Sequence, residues 1–142
     1  MLEIGGSKGY STIWLASAAA LRSGSVLSLE VDPCKAAAWR ENVAEAGLED
    51  SARLVEDDAF AALPRLEGGF DLCFLDAEKE DYELLHSLFR SKLRVGSAIV
   101  ADNVLSHAET LASYSLARQA DASLVSVTVP LDRGLELSVV AA

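Results

Sequence analysis

The chain has 142 residues, of which 51% are hydrophobic and 24% are charged, a composition ordinary for one globular α/β domain. Its formal net charge of −10 argues against a broad electrostatic surface for nucleic acid or anionic membrane, although a small RNA target selected by shape is compatible with it. The two cysteines lack metal-type spacing, no apolar stretch can span a bilayer, and no signal peptide precedes the first apolar run. We therefore expect one cytoplasmic domain over residues 1–142.

Apolar runs alternate with helical patterns along the chain. Seven apolar runs predict strands, at residues 1–5, 25–31, 52–56, 70–75, 97–101, 123–130 and 135–141. Helical patterns and capping signals predict five helical segments, over residues 9–22, from Pro33 to near Gly47, as a turn through Phe60 and Leu63, over 80–92, and from a capping box at Ser106 and Glu109 to about 119.

This alternation predicts an α/β three-layer sandwich with a mostly parallel seven-stranded sheet. The last two strands have no helix between them, so they pair antiparallel as a C-terminal hairpin. Ligands bind such sheets beyond the carboxyl ends of the strands. Polar residues follow five of the strands, and we expect them to converge on one edge; they are the turn at 5–9, Glu30, Asp57 and Asp58, the segment 76–79, and Asp102 with Asn103.

The first strand leads into a glycine-rich turn, LEIGGSKGYS, at residues 2–11. A dinucleotide fingerprint would need glycines at positions 7 and 10, which hold Ser7 and Tyr10. The carboxylate of Glu3 suits an ammonium group better than a pyrophosphate, and Glu30, at the end of the second strand, can hold both hydroxyls of a ribose. Amino-acid ammonium plus ribose indicates S-adenosylmethionine. The alternative is a tight strand–helix turn without a ligand.

Six stretches in order resemble the class I S-adenosylmethionine-dependent methyltransferases, and more narrowly the cation-dependent, catechol-type O-methyltransferases. They are LEIGGSKGYS (2–11), LSLEVDP (27–33), EDDAFAALP (56–64), FDLCFLDAEKEDY (70–82), VADNVLSH (100–107) and PLDRGLELSVV (130–140). The resemblance implies a Rossmann-like fold and a methyl transfer that leaves S-adenosylhomocysteine.

The resemblance also implies roles for individual residues. Glu3, Gly5, Gly9 and Ser11 would surround the methionine end of the cofactor, Glu30 the ribose, and Asp58 and Ala59, with Phe60, the adenine. The implied cofactor set further contains Gly6, Ser7, Tyr10, Val31 and Asp76. Asp76, Asp102 and Asn103 would ligate a divalent cation such as Mg²⁺. Lys79 and Asp76 would be the catalytic residues, with Lys79 as the general base.

Each of these residues also has a purely structural interpretation. Asp76, Asp102 and Asn103 can simply cap helices or form turns, and Lys79 can be a solvated lysine. His107 is an alternative base or an idle exposed residue. Elsewhere, Trp14 and Trp39 are predicted to pack helices rather than stack on a ligand, and His86 to be a boundary residue within an amphipathic helix.

The chain departs from the family pattern in one respect. Family members usually carry several helices before the first strand, whereas the first predicted strand here begins at Met1. We therefore expect an intact cofactor half, an open acceptor half and a monomer. The leading hypothesis is O-methylation of a small phenolic or catechol-like molecule, with no membrane partner. Alternatives are a cofactor-binding module completed by a partner, an RNA-modifying methyltransferase and, more distantly, an NAD-dependent oxidoreductase.

Overall fold

The computed structural model describes all 142 residues of the chain. The chain divides into two compact units, Met1–Arg65 and Leu66–Ala142. None of its helices combines the length and apolar character that crossing a membrane requires.

The first unit alternates strands and helices. In chain order its elements are β1 (Leu2–Ile4), α1 (Tyr10–Ala20), β2 (Val26–Glu30), α2 (Pro33–Glu45), β3 (Ala52–Glu56) and α3 (Ala59–Ala62), which a 3₁₀ turn extends over Leu63–Arg65. β2 is central and pairs in parallel with β1 on one side and β3 on the other. Every predicted element of this unit is present, with bounds within a few residues of those expected.

Side-chain caps start two of these helices where the sequence predicts them. Asp32 Oδ1 accepts hydrogen bonds from the backbone N–H groups of Cys34, at 2.8 Å, and Lys35, at 3.3 Å, and Pro33 occupies the first helical position. Asp58 Oδ1 accepts from the N–H of Phe60 at 2.7 Å and caps α3. These caps set where the chain turns away from the ends of β2 and β3.

The core of the first unit lies where α1 and α2 pack with β2 and β3. Its buried side chains are Ala16, Ala19, Val26, Trp39, Val43 and Ala52. Small residues on α1 leave room for the indole of Trp39, so the prediction that Trp39 packs between helices is confirmed. Trp14 was expected to pack as well, but 67% of it is exposed. The prediction for Trp14 is wrong because α1 buries the opposite stripe, through Thr12, Ala16 and Ala19.

The second unit contains the remaining strands. Its elements are β4 (Phe70–Leu75), a 3₁₀ turn (Lys79–Asp81), α4 (Tyr82–Phe89), a 3₁₀ turn (Arg90–Lys92), β5 (Leu93–Asp102), α5 (Ala108–Ala120), β6 (Leu124–Val129) and β7 (Leu135–Val140). β4 and β5 are parallel, and β7 runs antiparallel to both β5 and β6.

The strand order is β3-β2-β1 within the first unit and β4-β5-β7-β6 within the second. β2 is parallel to β1 and to β3, β4 is parallel to β5, and both pairs that β7 makes are antiparallel. The predicted α/β fold with a mostly parallel seven-stranded sheet and an antiparallel C-terminal hairpin is therefore confirmed. The assignment of residues 1–142 to a single domain stays a prediction.

Two element boundaries in the second unit differ from the sequence-based expectation. β5 begins at Leu93 rather than at residue 97, because the strand continues through a bulge. Gly96 has a φ of 87° there, and the Ser97 hydroxyl bridges the bulge by donating to the Phe70 carbonyl at 2.8 Å. The helix expected over 80–92 is α-helical only from Tyr82 to Phe89, with 3₁₀ turns at both ends.

The capping box at Ser106 and Glu109 does not form. α5 begins at Ala108, and its N-cap residue, His107, makes no side-chain capping hydrogen bond. Ser106 does not act as the N-cap of α5, because its N–H donates to the Arg133 carbonyl and its hydroxyl donates to the Asn103 carbonyl. A contact with a distant loop thus overrides the local capping signal.

His86 is not a boundary residue, as the sequence pattern suggested, but is buried between α4 and α5. Its Nδ1 lies 3.3 Å from the Tyr114 hydroxyl, and its ring packs against Phe89. Burial, reinforced by the positive charges of Arg118 and Arg90, lowers the pKa of His86 to about 3. The imidazole is therefore a neutral core group.

Candidate active site

The glycine-rich turn is anchored on the neighbouring strand. Gly5 and Gly6 both donate their N–H groups to the Leu29 carbonyl of β2, each at 3.0 Å. Gly9, with a φ of 90°, then stands immediately before α1. The first N–H groups of a helix have no partner within it and carry partial positive charge, so this turn suits an anionic group such as a carboxylate.

Close approach explains why the second glycine of the turn is a glycine. A Cβ added to Gly6 would lie 2.1 Å from Ser28 Oγ, far inside van der Waals contact. The backbone of the turn therefore lies directly on a β2 side chain. A side chain at this position would require either the Ser28 hydroxyl or the turn to move.

Glu3 lies beneath the turn with no part of it exposed. Its carboxylate accepts hydrogen bonds from three hydroxyls, Ser11 Oγ at 2.6 Å, Ser28 Oγ at 2.5 Å and Thr12 Oγ1. Thr12 Oγ1 in turn accepts from the indole N–H of Trp39 at 2.8 Å. In this arrangement Glu3 holds the turn, α1 and β2 together, and a direct contact between Glu3 and a cofactor ammonium stays a prediction.

Glu30 closes the other side of the turn. Its Oε2 accepts from the Ser7 N–H and its Oε1 from the Asp32 N–H, both at 2.8 Å. Two backbone donors hold the carboxylate in one orientation at the end of β2, and each oxygen keeps a further lone pair. The carboxylate can thus accept hydrogen bonds from a pair of neighbouring hydroxyls, as the ribose prediction requires.

The other predicted cofactor residues of the first unit flank this turn and the end of β3. Tyr10, the first residue of α1, and Val31, directly after β2, are exposed. Asp58 is occupied as the cap of α3, and Ala59 follows it. Beside them, the hydrogen bond from Arg65 holds the pKa of the Asp57 carboxyl below its usual range.

The predicted base lies in the second unit, directly after β4. Lys79 Nζ donates to Asp76 Oδ1 at 2.7 Å, to the Ala77 carbonyl at 3.0 Å and to the Tyr82 hydroxyl at 3.0 Å. Only 15% of the Lys79 side chain is exposed. An ammonium has three N–H groups, so every donor of Lys79 has a partner. The alternative of a freely solvated lysine is therefore wrong.

The second strand end carries Asp102 and Asn103. Burial raises the pKa of the Asp102 carboxyl, and the negative charge of Asp76 raises it further. Asn103 is buried and has a φ of 68°, and its N–H donates to Asp102 Oδ1 at 2.6 Å. A non-glycine residue in this left-handed conformation is uncommon, and such residues cluster at functional sites.

These groups fit a hard divalent cation. Asp76, Asp102 and Asn103 offer two carboxylates and one amide oxygen, which is the oxygen-only donor set that Mg²⁺ prefers. No group of three or more His, Cys, Asp or Glu side chains that could hold a metal forms anywhere in the chain. The amide of Asn103 would therefore have to be the third protein ligand. The mutual repulsion of Asp76 and Asp102 is what a cation would relieve.

His107, the alternative base, is exposed, and its Nδ1 lies 3.0 Å from the hydroxyl of the adjacent Ser106. No hydrogen bond links it to Asp76, Asp102 or Lys79. The geometry therefore favours Lys79 over His107 as the proton-accepting group.

Comparisons with known proteins identify the family of the chain. A family profile described as "Methyltransferase domain" matches residues 2–104. The chain belongs to this methyltransferase family. It is 42% identical over 106 residues to a catechol O-methyltransferase of Mycobacterium tuberculosis, an alignment that covers 74% of this chain and 48% of that protein. The resemblance to catechol-type class I methyltransferases is thereby confirmed.

Solved structures of methyltransferases share the fold. A cofactor-bound protein from MTB has a TM-score of 0.90 and 33% identity, and the match covers 98% of this chain and 71% of that one. The O-methyltransferase TomG from Streptomyces achromogenes, in complex with SAM, has a TM-score of 0.89 and 25% identity, covering 99% and 72%. The methyltransferase chain spans about half the length of the curated relatives that it matches.

Sequence reasoning about this methyltransferase chain missed several of the groups that position the predicted residues. Thr12 and Ser28 share the Glu3 carboxylate, and Tyr82 bonds to Lys79. Tyr82 follows Lys79 by three residues, so helical spacing was a usable signal for that contact. The others are paired across elements, and no local pattern indicates them.

Proposed function

We propose that the chain transfers a methyl group from S-adenosylmethionine to a hydroxyl oxygen of a small phenolic or catechol-like acceptor. The observation that carries the proposal is the strand-end cluster of the second unit, in which Lys79 Nζ lies 2.7 Å from Asp76 Oδ1 and the carboxylates of Asp76 and Asp102 repel each other. A nearly buried lysine beside a cation-binding donor set is suited to removing a proton from a hydroxyl.

S-adenosylmethionine is the cofactor that best suits the turn in the first unit. Glu30 presents a fixed carboxylate for the ribose hydroxyls, and the start of α1 suits the methionine carboxylate. The catechol O-methyltransferase relative and the structure of TomG in complex with SAM support the same choice. Tyr10 and Val31, both exposed, are available to cover the ligand.

In the proposed reaction, Lys79 in its neutral form takes the acceptor proton at Nζ. The acceptor oxygen then forms a bond to the methyl carbon as the bond between that carbon and the sulfur breaks, which leaves S-adenosylhomocysteine. Asp76 and the Ala77 carbonyl orient Nζ for the proton transfer. The protonated lysine that results is stabilised by Asp76.

Asp76, Asp102 and Asn103 would hold a divalent cation, most simply Mg²⁺. When bound, the cation would lower the pKa of a coordinated acceptor hydroxyl. Two carboxylates and an amide leave further coordination positions for the two oxygens of a diol, which is why a catechol is the preferred class of acceptor.

The experiment is methylation of a catechol by methyl-labelled S-adenosylmethionine, with Mg²⁺ and with EDTA. We expect turnover that requires Mg²⁺ and falls at least 100-fold in Lys79→Ala, in line with the loss of a general base. Lys35→Ala removes an exposed lysine of α2 and serves as the control. Transfer that is independent of Mg²⁺ and unchanged in Lys79→Ala would overturn the mechanism.

Calorimetry gives a separate test of the cofactor. We expect S-adenosylmethionine and S-adenosylhomocysteine to bind with or without Mg²⁺, because the glycine-rich turn and Glu30 follow other strands than Asp102 and Asn103. Asp102→Asn should weaken Mg²⁺ binding and leave cofactor binding unchanged, with the exposed Asp71→Asn as the matched control. A chain that binds neither compound is not a methyltransferase of this kind.

A further inference from the structure

We propose that Tyr82 is a positioning residue of the active site, whose hydroxyl fixes the side chain of Lys79 and fastens the ends of β4 and β5 to each other. The inference rests on the proposed function, because it gives the lysine its role as a base. The contacts themselves lie within the second unit and can be measured whether or not the chain is active.

The Tyr82 hydroxyl is the meeting point of three polar groups. Its Oη lies 3.0 Å from Lys79 Nζ, 3.1 Å from the Leu75 carbonyl and 3.0 Å from the Asp102 carbonyl. No part of Tyr82 is exposed, so water does not compete for these bonds. A phenol has one hydrogen to donate. It accepts from the lysine ammonium and shares its own hydrogen between the two carbonyls.

The two carbonyls belong to the last residues of β4 and β5, next to the proposed cation-binding side chains. Leu75 is the last residue of β4, immediately before Asp76, and Asp102 is the last residue of β5, immediately before Asn103. A buried carbonyl without a hydrogen-bond partner is costly, and the Tyr82 hydroxyl provides a partner to both strand ends. A single hydroxyl therefore fixes both strand ends and the base.

The ring and the hydroxyl of Tyr82 have separable tasks. The ring packs edge-on against Tyr114, with centroids 5.5 Å apart, and lies 5.1 Å from Lys79 Nζ. A phenylalanine would keep these packing contacts and lose only the three polar ones. With the hydroxyl removed, Lys79 would have a free N–H and more accessible rotamers, while one or both carbonyls would lose their donor.

The activity test compares Tyr82→Phe with Tyr114→Phe, a second buried phenol whose hydroxyl lies against His86 and not against Lys79. We expect Tyr82→Phe to lower kcat for catechol methylation roughly 10- to 100-fold, since a misplaced catalytic group loses rate rather than affinity. KM for S-adenosylmethionine should stay within about twofold of the wild type. A kcat equal to that of the wild type would overturn the inference.

A second readout does not need activity. The chain has four lysines, Lys8, Lys35, Lys79 and Lys92, so their side-chain ammonium signals can be resolved by ¹⁵N NMR at mildly acidic pH, and Lys79→Arg identifies one of them. Three fixed acceptors slow the exchange of the Lys79 ammonium with water. We expect a sharp Lys79 signal in the wild type and in Tyr114→Phe, and a broadened or lost signal in Tyr82→Phe.

The two readouts distinguish failure of this inference from failure of the proposed function. If the wild type does not methylate a catechol but the Lys79 signal is lost only in Tyr82→Phe, the function fails and the positioning role stands. If the signal is unchanged in Tyr82→Phe, the positioning role fails. Should that variant not fold, the wild type decides, because a Lys79 ammonium that exchanges as fast as that of the exposed Lys35 contradicts the proposal.

Discussion

The backbone N–H of Ser7 donates a 2.8 Å hydrogen bond to Oε2 of Glu30, 23 residues further along the chain. This bond ties the glycine-rich turn to the end of β2. One carboxylate thus shapes the turn and, in the proposed function, also accepts the hydroxyls of the ribose.

Glu30→Ala removes both of these interactions, so we expect the Kd for S-adenosylhomocysteine to rise about 10- to 100-fold, the usual effect of losing hydrogen bonds to a charged group. Isothermal titration calorimetry measures it. Glu41→Ala, on the exposed side of α2, is the control and should bind like the wild type. Equal affinities for the two variants would show that Glu30 does not face the cofactor.

Gly6→Ala is expected to destabilise the fold by about 1–3 kcal/mol, the usual range for overpacking a buried position. The added Cβ would lie 2.1 Å from Ser28 Oγ but 3.4 Å from Ser28 Cβ. The same substitution should therefore cost less in a Ser28→Ala background, where the clashing oxygen is absent. Urea unfolding of the four proteins measures the coupling. Additive effects would mean that the turn moves away from β2 instead.

Thr12→Val should lower the free energy of unfolding by about 2–3 kcal/mol. Its hydroxyl donates to Glu3 and accepts from the indole of Trp39, so the buried indole N–H would lose its acceptor and Glu3 would lose one of its three hydroxyl donors. Thr12→Ser keeps the hydroxyl and should recover most of the loss. Thr110→Val, on the exposed face of α5, is the matched control. If Thr12→Ser is as unstable as Thr12→Val, methyl packing rather than the hydroxyl matters.

His86 should make stability fall as the pH is lowered. Its pKa in the folded chain is about 3 against an ordinary value of 6.5, chiefly because of burial. The unfolded chain therefore binds a proton below about pH 6.5 and the folded chain does not, so the stabilisation present above that pH is lost progressively towards about pH 3. The neighbouring charges of Arg118, Arg90 and Asp121 modify this loss.

The measurement is urea unfolding of the wild type and His86→Gln at pH 7.5 and 5. Between pH 7.5 and pH 5, the lowered pKa of His86 corresponds to a loss of about 2 kcal/mol in the free energy of unfolding. The loss is about 1.36 kcal/mol for each pH unit below the ordinary pKa. We expect the wild type to lose about that much more than His86→Gln. The exposed His107→Gln should behave like the wild type. An identical pH dependence in His86→Gln would contradict the buried neutral imidazole.

Local signals predicted most of the elements. Asp32 with Pro33, and Asp58, start helices where capping chemistry places them, because those hydrogen bonds span two or three residues. The capping box at Ser106 failed because the Arg133 carbonyl, from a distant loop, takes the serine N–H. The bulge in β5 was missed for a similar reason, since the Phe70 carbonyl on the adjacent strand stabilises it.

The sequence by itself determined the order of strands and helices, the family, and the identity of the residues at the strand ends, because periodicity, turn residues and motifs are all encoded within short stretches. Only the tertiary structure decided how those residues are used. Glu3 lies buried under three hydroxyls rather than in the open, His86 is a core group, and Lys79 is held by Tyr82. Burial and hydrogen-bond partners depend on what other segments bring to the same place, and no local pattern in the chain contains that information.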